Sequence, residues 1–466
     1  MKYDLFKYIF LGIAILQLSC KRFVGIDPPK TSLVNETVFQ TNDQATAAIT
    51  GIYATLRSTN FASGNINGIA SCAGLSSDEL ISYLAAYLPF NENQLTPETP
   101  NGLSTLYSGP YQSIFTANSI IENLQASNGV TPLVKEQLQG EALFIRAFAH
   151  FYLVNLFGKI PLQLSSDNSI TSIAAKASID QVYQQIVNDL KSAEAKLQEN
   201  YPTPGRVRPN KSAAQALLAR VYLYVQDWEN AEKYASLIIS KTSTYNLVDF
   251  NDVFLANSRE AIWQLEPPPN SGALEGAFFI PGSLLIPPGN VSLRNSFIQN
   301  AFEVGDKRKD AWVRSYTIPA GTYYYPFKYK IRSATTATEY SMVLRFAEQY
   351  LIRAEARINQ EKTELGIGDL NIIRKRQLLT GTNANTLSPL PTNLAKPDAL
   401  LAVEQERKVE LFSEWGHRWF DLKRTGRATA VFSLIKPLWE PTDVLYPIPQ
   451  LEIDRNKNIK PQNDGY

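Results

Sequence analysis

The chain has 466 residues, enough for one large domain or two to three ordinary ones, and its 44% hydrophobic and 11% aromatic content is that of a globular protein with a sizeable core. Lys+Arg number 45 against 44 for Asp+Glu, which leaves no basic excess for nucleic acid to hold and no bulk charge to steer an anionic substrate. The two cysteines and the two histidines, His150 and His417, stand in no zinc-ligand spacing, so neither a disulfide scaffold nor a metal site nor a cofactor is expected.

The N-terminus carries Lys2 and Lys7, an apolar run over 8–19 and the small Ser19 before Cys20. This order describes a secretory signal with a lipoprotein cleavage site: residues 1–19 are removed and the Cys20 thiol takes lipid. The apolar run falls short of the about 20 residues that span a bilayer. Residues 20–36 then form a tether, where Asp27-Pro28-Pro29 favours an extended path. With Cys20 lipidated, Cys72 has no partner and reads as a small buried apolar residue.

Helical periodicity begins at 43–56, with Ala45, Ala48, Ile49, Ile52, Tyr53 and Leu56 on one face. Residues 64–102 read as loop-rich, and helices follow over 107–124, over 133–157 and over 179–197, the last with Val182, Ile186, Leu190, Ala193 and Leu197 in one stripe. Residues 212–239 show Leu218-Ala219-x-x-Tyr222, a turn at Gln226-Asp227 and Ala231, the helix–turn–helix spacing of a tetratricopeptide unit, with Trp228 at the turn. A second helix pair is expected over 341–359 and 366–378. Residues 266–338, rich in proline and glycine, read as loops and short strands. A loop over 381–398, a last helix over 398–424 and an irregular tail over 446–466 complete the chain.

Two groups of residues invite a functional reading. Trp312, Tyr316, Tyr323, Tyr324 and Tyr325 lie in the irregular region, and Tyr83 and Tyr87 follow Ser77-Asp78-Glu79. Aromatic faces suit ligands with apolar C–H faces and hydroxyl rims, such as sugars. Each ring has packing in the core as its alternative. Glu406, Glu410, Glu414, Arg418 and Asp421 recur at three or four residues and share helix faces. A glycosidase needs two carboxylates across a sugar, but repeated Glu beside Arg on one helix reads better as an ion-pair network that fixes packing. Trp415 and Trp419 are expected in the core.

The C-terminal block Glu406-Arg407-x-x-Glu410-Leu411-x-x-Glu414, Arg418, Asp421-Leu422-x-Arg424, then Ile448-Pro449-x-x-Glu452 and Gln462-Asn463-x-Gly465-Tyr466, resembles the SusD/RagB family of nutrient-uptake lipoproteins. Ala48-Ile-Thr-Gly51-Ile-Tyr53, Glu141 to Ala147, Phe157-Gly158-x-x-Pro161, Asp306-x-Arg308, Lys328-Tyr329 and Ala347-Glu348 to Ala356 extend the resemblance along the whole chain.

The resemblance implies a mainly α, SusD-like fold, with tetratricopeptide-like helix pairs packed against an irregular, loop-rich ligand-binding half. Its parts would be an N-terminal portion at 37–240 and a C-terminal portion at 241–466, including the irregular region 266–338, forming one compact domain. It also implies a non-enzymatic, outward-facing lipoprotein of the outer membrane. Such a protein captures oligosaccharides, or peptides, as the lid of a SusC-type TonB-dependent importer. A helical-repeat scaffold and a surface glycoside hydrolase are the alternatives.

Overall fold

The computed structural model describes residues 38–58, 61–288, 290–376 and 387–466. The signal segment, Cys20, the tether and residues 381–386 lie outside the described residues. The helices are α1 (Asn42–Ser58), α2 (Ile69–Ser76), α3 (Gly102–Ala126), α4 (Pro132–Phe157), α5 (Ile179–Lys196), α6 (Lys211–Tyr224), α7 (Trp228–Ile239), α8 (Phe346–Asn359), α9 (Thr363–Lys375), α10 (Lys396–Glu410) and α11 (His417–Arg424). Several shorter helices complete the chain. The strands that matter are β1 (Leu80–Ser82), β2 (Ala261–Leu265), β3 (Val291–Leu293), β4 (Val313–Ile318), β5 (Gly321–Pro326) and β6 (Ser341–Arg345).

From α3 to α9 each of these helices packs on the next in the chain, so the fold is mainly α. Local chemistry starts several of them. Ser178 and Gln181 form a capping box at α5. Asp227 accepts from the Asn230 N–H at 3.1 Å to start α7, just after Gln226 turns the chain at φ 59°. The Ala-rich α6 is buried on every side and packs between α5 and α7, its small side chains allowing close approach.

Three expectations need correction. Residues 341–345 are strand, not helix: β6 pairs with β2 and only then does α8 begin. The loop-rich stretch 64–102 contains α2 and β1. The expected helix 398–424 is two helices, α10 and α11, separated by a reversal in which Ser413, Trp415 and Gly416 have φ of 57°, 47° and 71°. Gly416 is required there twice over, by its left-handed backbone and because a Cβ would lie 2.7 Å from that of Ala73. Trp415 and Trp419 are both buried, as expected.

The signature residues turn out to be partners across the fold. Glu410 accepts from Arg345 at 2.7 Å and from Arg308 at 3.3 Å, and also from Arg376. Arg308 is gripped by Asp306 at 2.7 Å and by Glu406 at 2.9 Å. Lys328 donates to the Glu410 carbonyl at 2.8 Å and to Glu414 at 2.5 Å. Farther out, Arg220 forks onto Glu348, Arg208 onto Glu141 and Arg418 onto Asp78. The tail closes on itself: the Gln462 side chain bonds both the N–H and the C=O of Ile448 at 2.8 Å, and Asn463 reaches the carbonyls of Phe157 and Tyr446.

Candidate ligand-binding site

β1, β3, β5 and β4 form a four-stranded antiparallel sheet in that spatial order. Side chains alternate across a strand, so one face carries Leu80, Val291, Leu293 and Tyr324 and packs inward. The other face carries Ile81, Tyr83, Ser292, Tyr316, Tyr323 and Tyr325. Tyr316 and Tyr323 are register partners, and their rings stack at 5.7 Å with 29° between planes. Tyr83 meets the Tyr323 ring edge-on at 5.8 Å and hydrogen-bonds Ser292 Oγ at 3.0 Å. The result is a continuous aromatic arc from Tyr83 through Tyr323 to Tyr316, with Tyr325 beside Tyr316 at 6.3 Å.

Access differs along the arc. Tyr83 is 46% exposed and Tyr323 is half-buried, whereas Tyr316 and Tyr325 are mostly covered and serve as its backing. The Tyr316 hydroxyl donates to the Ile286 carbonyl at 3.0 Å. That bond ties the arc to the exposed apolar tip Leu284-Leu285-Ile286. A cavity of about 420 Å³ opens beside Tyr83 and Tyr323, with Ser292, Arg294, Asn295 and Thr322 also in its wall. Aromatic faces beside hydroxyl and amide groups form a surface suited to a sugar ring.

Three of the candidate rings leave the site. Trp312 is wholly buried, donates Nε1–H to the Phe250 carbonyl at 2.9 Å, and packs among Phe250, Phe254 and Phe412. It lies at the end of a short helix, Lys307–Trp312, whose Asp306 cap turns it inward. Tyr87 is buried and donates to Asn67 at 2.5 Å. Tyr324 faces the core by strand alternation. Ser292, Arg294, Asn295 and Thr322 escaped the sequence reading. The alternation Val291-Ser292-Leu293 was the one available signal for a strand that sets Ser292, itself buried, on the face of the arc.

The carboxylates of α10 and the reversal after it are not available for chemistry. Glu406, Glu410 and Glu414 are buried and ion-paired. Burial would raise the Glu410 carboxyl, but the guanidinium groups of Arg376, Arg345 and Arg308 outweigh it and hold the group well below the usual carboxylate range. A cleft of about 300 Å³ runs between Gln226, Trp228 and the helices α10 and α11. Its carboxylates Asp421, Glu355 and Glu404 are taken by Arg407, by Arg424, and by Arg418 with Arg427.

Glu79 behaves differently. It is buried, with Oε2 accepting from the Ser413 N–H at 3.2 Å, and burial, then the Asp78 charge, push its carboxyl up to about 8. Between the unfolded value of about 4.3 and that folded value the native state binds the extra proton, so stability falls as pH rises through the window. Glu79→Gln is expected to remove this slope. Relative to the parent it should gain on the order of a few kcal/mol by about pH 8.5 and nothing near pH 4. Paired thermal melts check this, and parallel pH profiles for the two chains would refute it.

The family profile described as "Starch-binding associating with outer membrane" matches residues 46–223, and the profile described as "SusD family" matches residues 299–466. The chain is 25% identical to "SusD-like protein P2" of Formosa agariphila over 99% of both chains. It is 31% identical to "Starch-binding protein SusD" of Bacteroides thetaiotaomicron over 29% of this chain and 25% of that one. The structure of a SusD superfamily protein from Bacteroides vulgatus superposes with a TM-score of 0.77 at 21% identity, over 92% of this chain and all (100%) of the other. No described helix is long and apolar enough to cross a membrane.

Proposed function

This chain belongs to the SusD/RagB family, and from that premise we propose that it is a non-catalytic glycan receptor of the outer membrane. In this reading Cys20 anchors it by lipid on the outward face. It captures oligosaccharides and acts as the lid of a SusC-type TonB-dependent importer. The observation that carries the binding role is the arc of Tyr83, Tyr323 and Tyr316, exposed at one end and backed at the other. A preformed arc binds without having to order its rings first, which favours capture. The starch-binding description of the matching profile, and of the relative from Bacteroides thetaiotaomicron, supports a glycan.

A peptide is the second reading. β4 is the outer strand of its sheet and carries the exposed Arg314, Ser315 and Thr317, so an extended chain has an edge to pair with. The full-length chain in detergent, offered an oligosaccharide panel and a peptide pool, separates the two. Retention of oligosaccharides that is weakened in Tyr83→Ala is expected. Retention of peptides alone would replace the glycan reading, and retention of neither would remove the binding role.

A further inference from the structure

We infer that the cavity beside Tyr83 and Tyr323 takes the anionic group of an acidic oligosaccharide, a uronate carboxylate or a sulfate ester, on Arg294. The inference rests on the glycan reading above and narrows its substrate class. Nearly buried arginines in this protein typically carry a carboxylate partner: Arg146 forks onto Asp189, Arg208 onto Glu141, Arg220 onto Glu348 and Arg418 onto Asp78. Arg294 does not. Its Nε donates to the Leu80 carbonyl at 2.9 Å and Nη2 to the Asn91 carbonyl at 3.1 Å. Among the described residues no acceptor meets Nη1 and no carboxylate pairs with the group.

Two neutral carbonyls orient this guanidinium without neutralising it. The cavity wall holds Tyr83, Ser292, Arg294, Asn295, Thr322 and Tyr323, and among the described residues no Asp or Glu lines it. The nearby carboxylates compensate only in part from behind. Asp78 is committed to Arg418 at 2.7 Å and to Lys408 at 3.4 Å, and Glu79, pushed up to about 8, is protonated at neutral pH. Lys436, deeper still, is likewise held by neutral oxygens, the Leu75 carbonyl at 3.1 Å and Asn93 Oδ1 at 3.1 Å. Burial lowers the Arg294 pKa, and the opposing charge of Asp78 offsets it only in part. An oriented guanidinium with no carboxylate in direct contact, beside sugar-stacking rings, is a receptor for a planar carboxylate or a sulfate, which it meets through charge-assisted hydrogen bonds.

The test uses the full-length chain in detergent and matched glycan pairs: free against methyl-esterified oligouronates, and sulfated against desulfated oligogalactans. Titration calorimetry is expected to show the acidic member of at least one pair binding about tenfold or more tighter. The pair that shows it tells carboxylate from sulfate. Arg294→Gln should bring that pair to parity. Asn295→Asp, which leaves both backbone bonds of Arg294 in place and adds a carboxylate to the cavity, should likewise bring that pair to parity. Parity in the parent for every pair, or a preference that survives both substitutions, overturns the inference. If neutral glycans then still bind in a manner that needs Tyr323, the receptor reading stands alone. If no glycan binds, both fall together.

Discussion

Replacing Glu410 by alanine is expected to destabilise the fold by about 3–5 kcal/mol, the range for breaking a buried ion pair from one side. The carboxylate is fully buried and sits among Arg345, Arg376 and Arg308. Its removal leaves three guanidinium groups short of a partner in an interior where an unpaired charge is expensive. Glu410→Gln keeps the shape and one acceptor but loses the charge, so it should fall between the parent and the alanine variant. Denaturant unfolding gives the answer, and a loss under about 1 kcal/mol would show that the network is dispensable. A catalytic Glu410 would behave in the opposite way, with stability kept and a turnover abolished. The acid side follows from the same contacts. The folded pKa is depressed, so the stabilisation is present above the unfolded value of about 4.3 and is lost only as pH falls through the much lower folded value.

Tyr323→Ala is expected to weaken glycan binding about thirtyfold or more, the scale of a central anchor worth about 2 kcal/mol. Its ring touches both Tyr83, at 5.8 Å, and Tyr316, at 5.7 Å, so its loss divides the arc as well as removing one face. Tyr83→Ala, at the exposed end, should cost about tenfold, because the remaining pair stays stacked. Trp312→Phe should leave affinity unchanged, since the indole lies in the core. Calorimetric titration of the three variants against one retained oligosaccharide tests the order. Equal affinities for Tyr323→Ala and the parent would move the site elsewhere.

The contrast between Trp312 and Tyr323 marks the limit of reading a site from sequence. Both are aromatic, both lie in the proline-rich region, and nothing within a few residues of either reveals which way it faces. Trp312 is turned inward by a six-residue helix started by Asp306. Tyr323 is turned outward by its register opposite Tyr316. The run Tyr323-Tyr324-Tyr325 divides by strand alternation alone, the middle ring inward and its neighbours outward. Arg294 was invisible for a related reason. Its interest lies in the carboxylate it lacks, and an absent partner shows only once every neighbour is placed.

By itself the sequence determined the mainly helical class, the amphipathic helices near their observed positions, the helix–turn–helix at 212–239 and the structural character of the α10 carboxylates. Those signals are local: a helix repeats its apolar face every three or four residues, and a Glu four residues from another shares that face whatever surrounds it. The tertiary structure decided which arginine each glutamate meets, where the helix after Glu410 must break, and which tyrosines face solvent. The reason is distance along the chain. The sheet that builds the arc joins Ser82 to Val291, and the clamp on Arg418 comes from Asp78, so the residues that set each environment are hundreds of positions apart and only the packed fold brings them together.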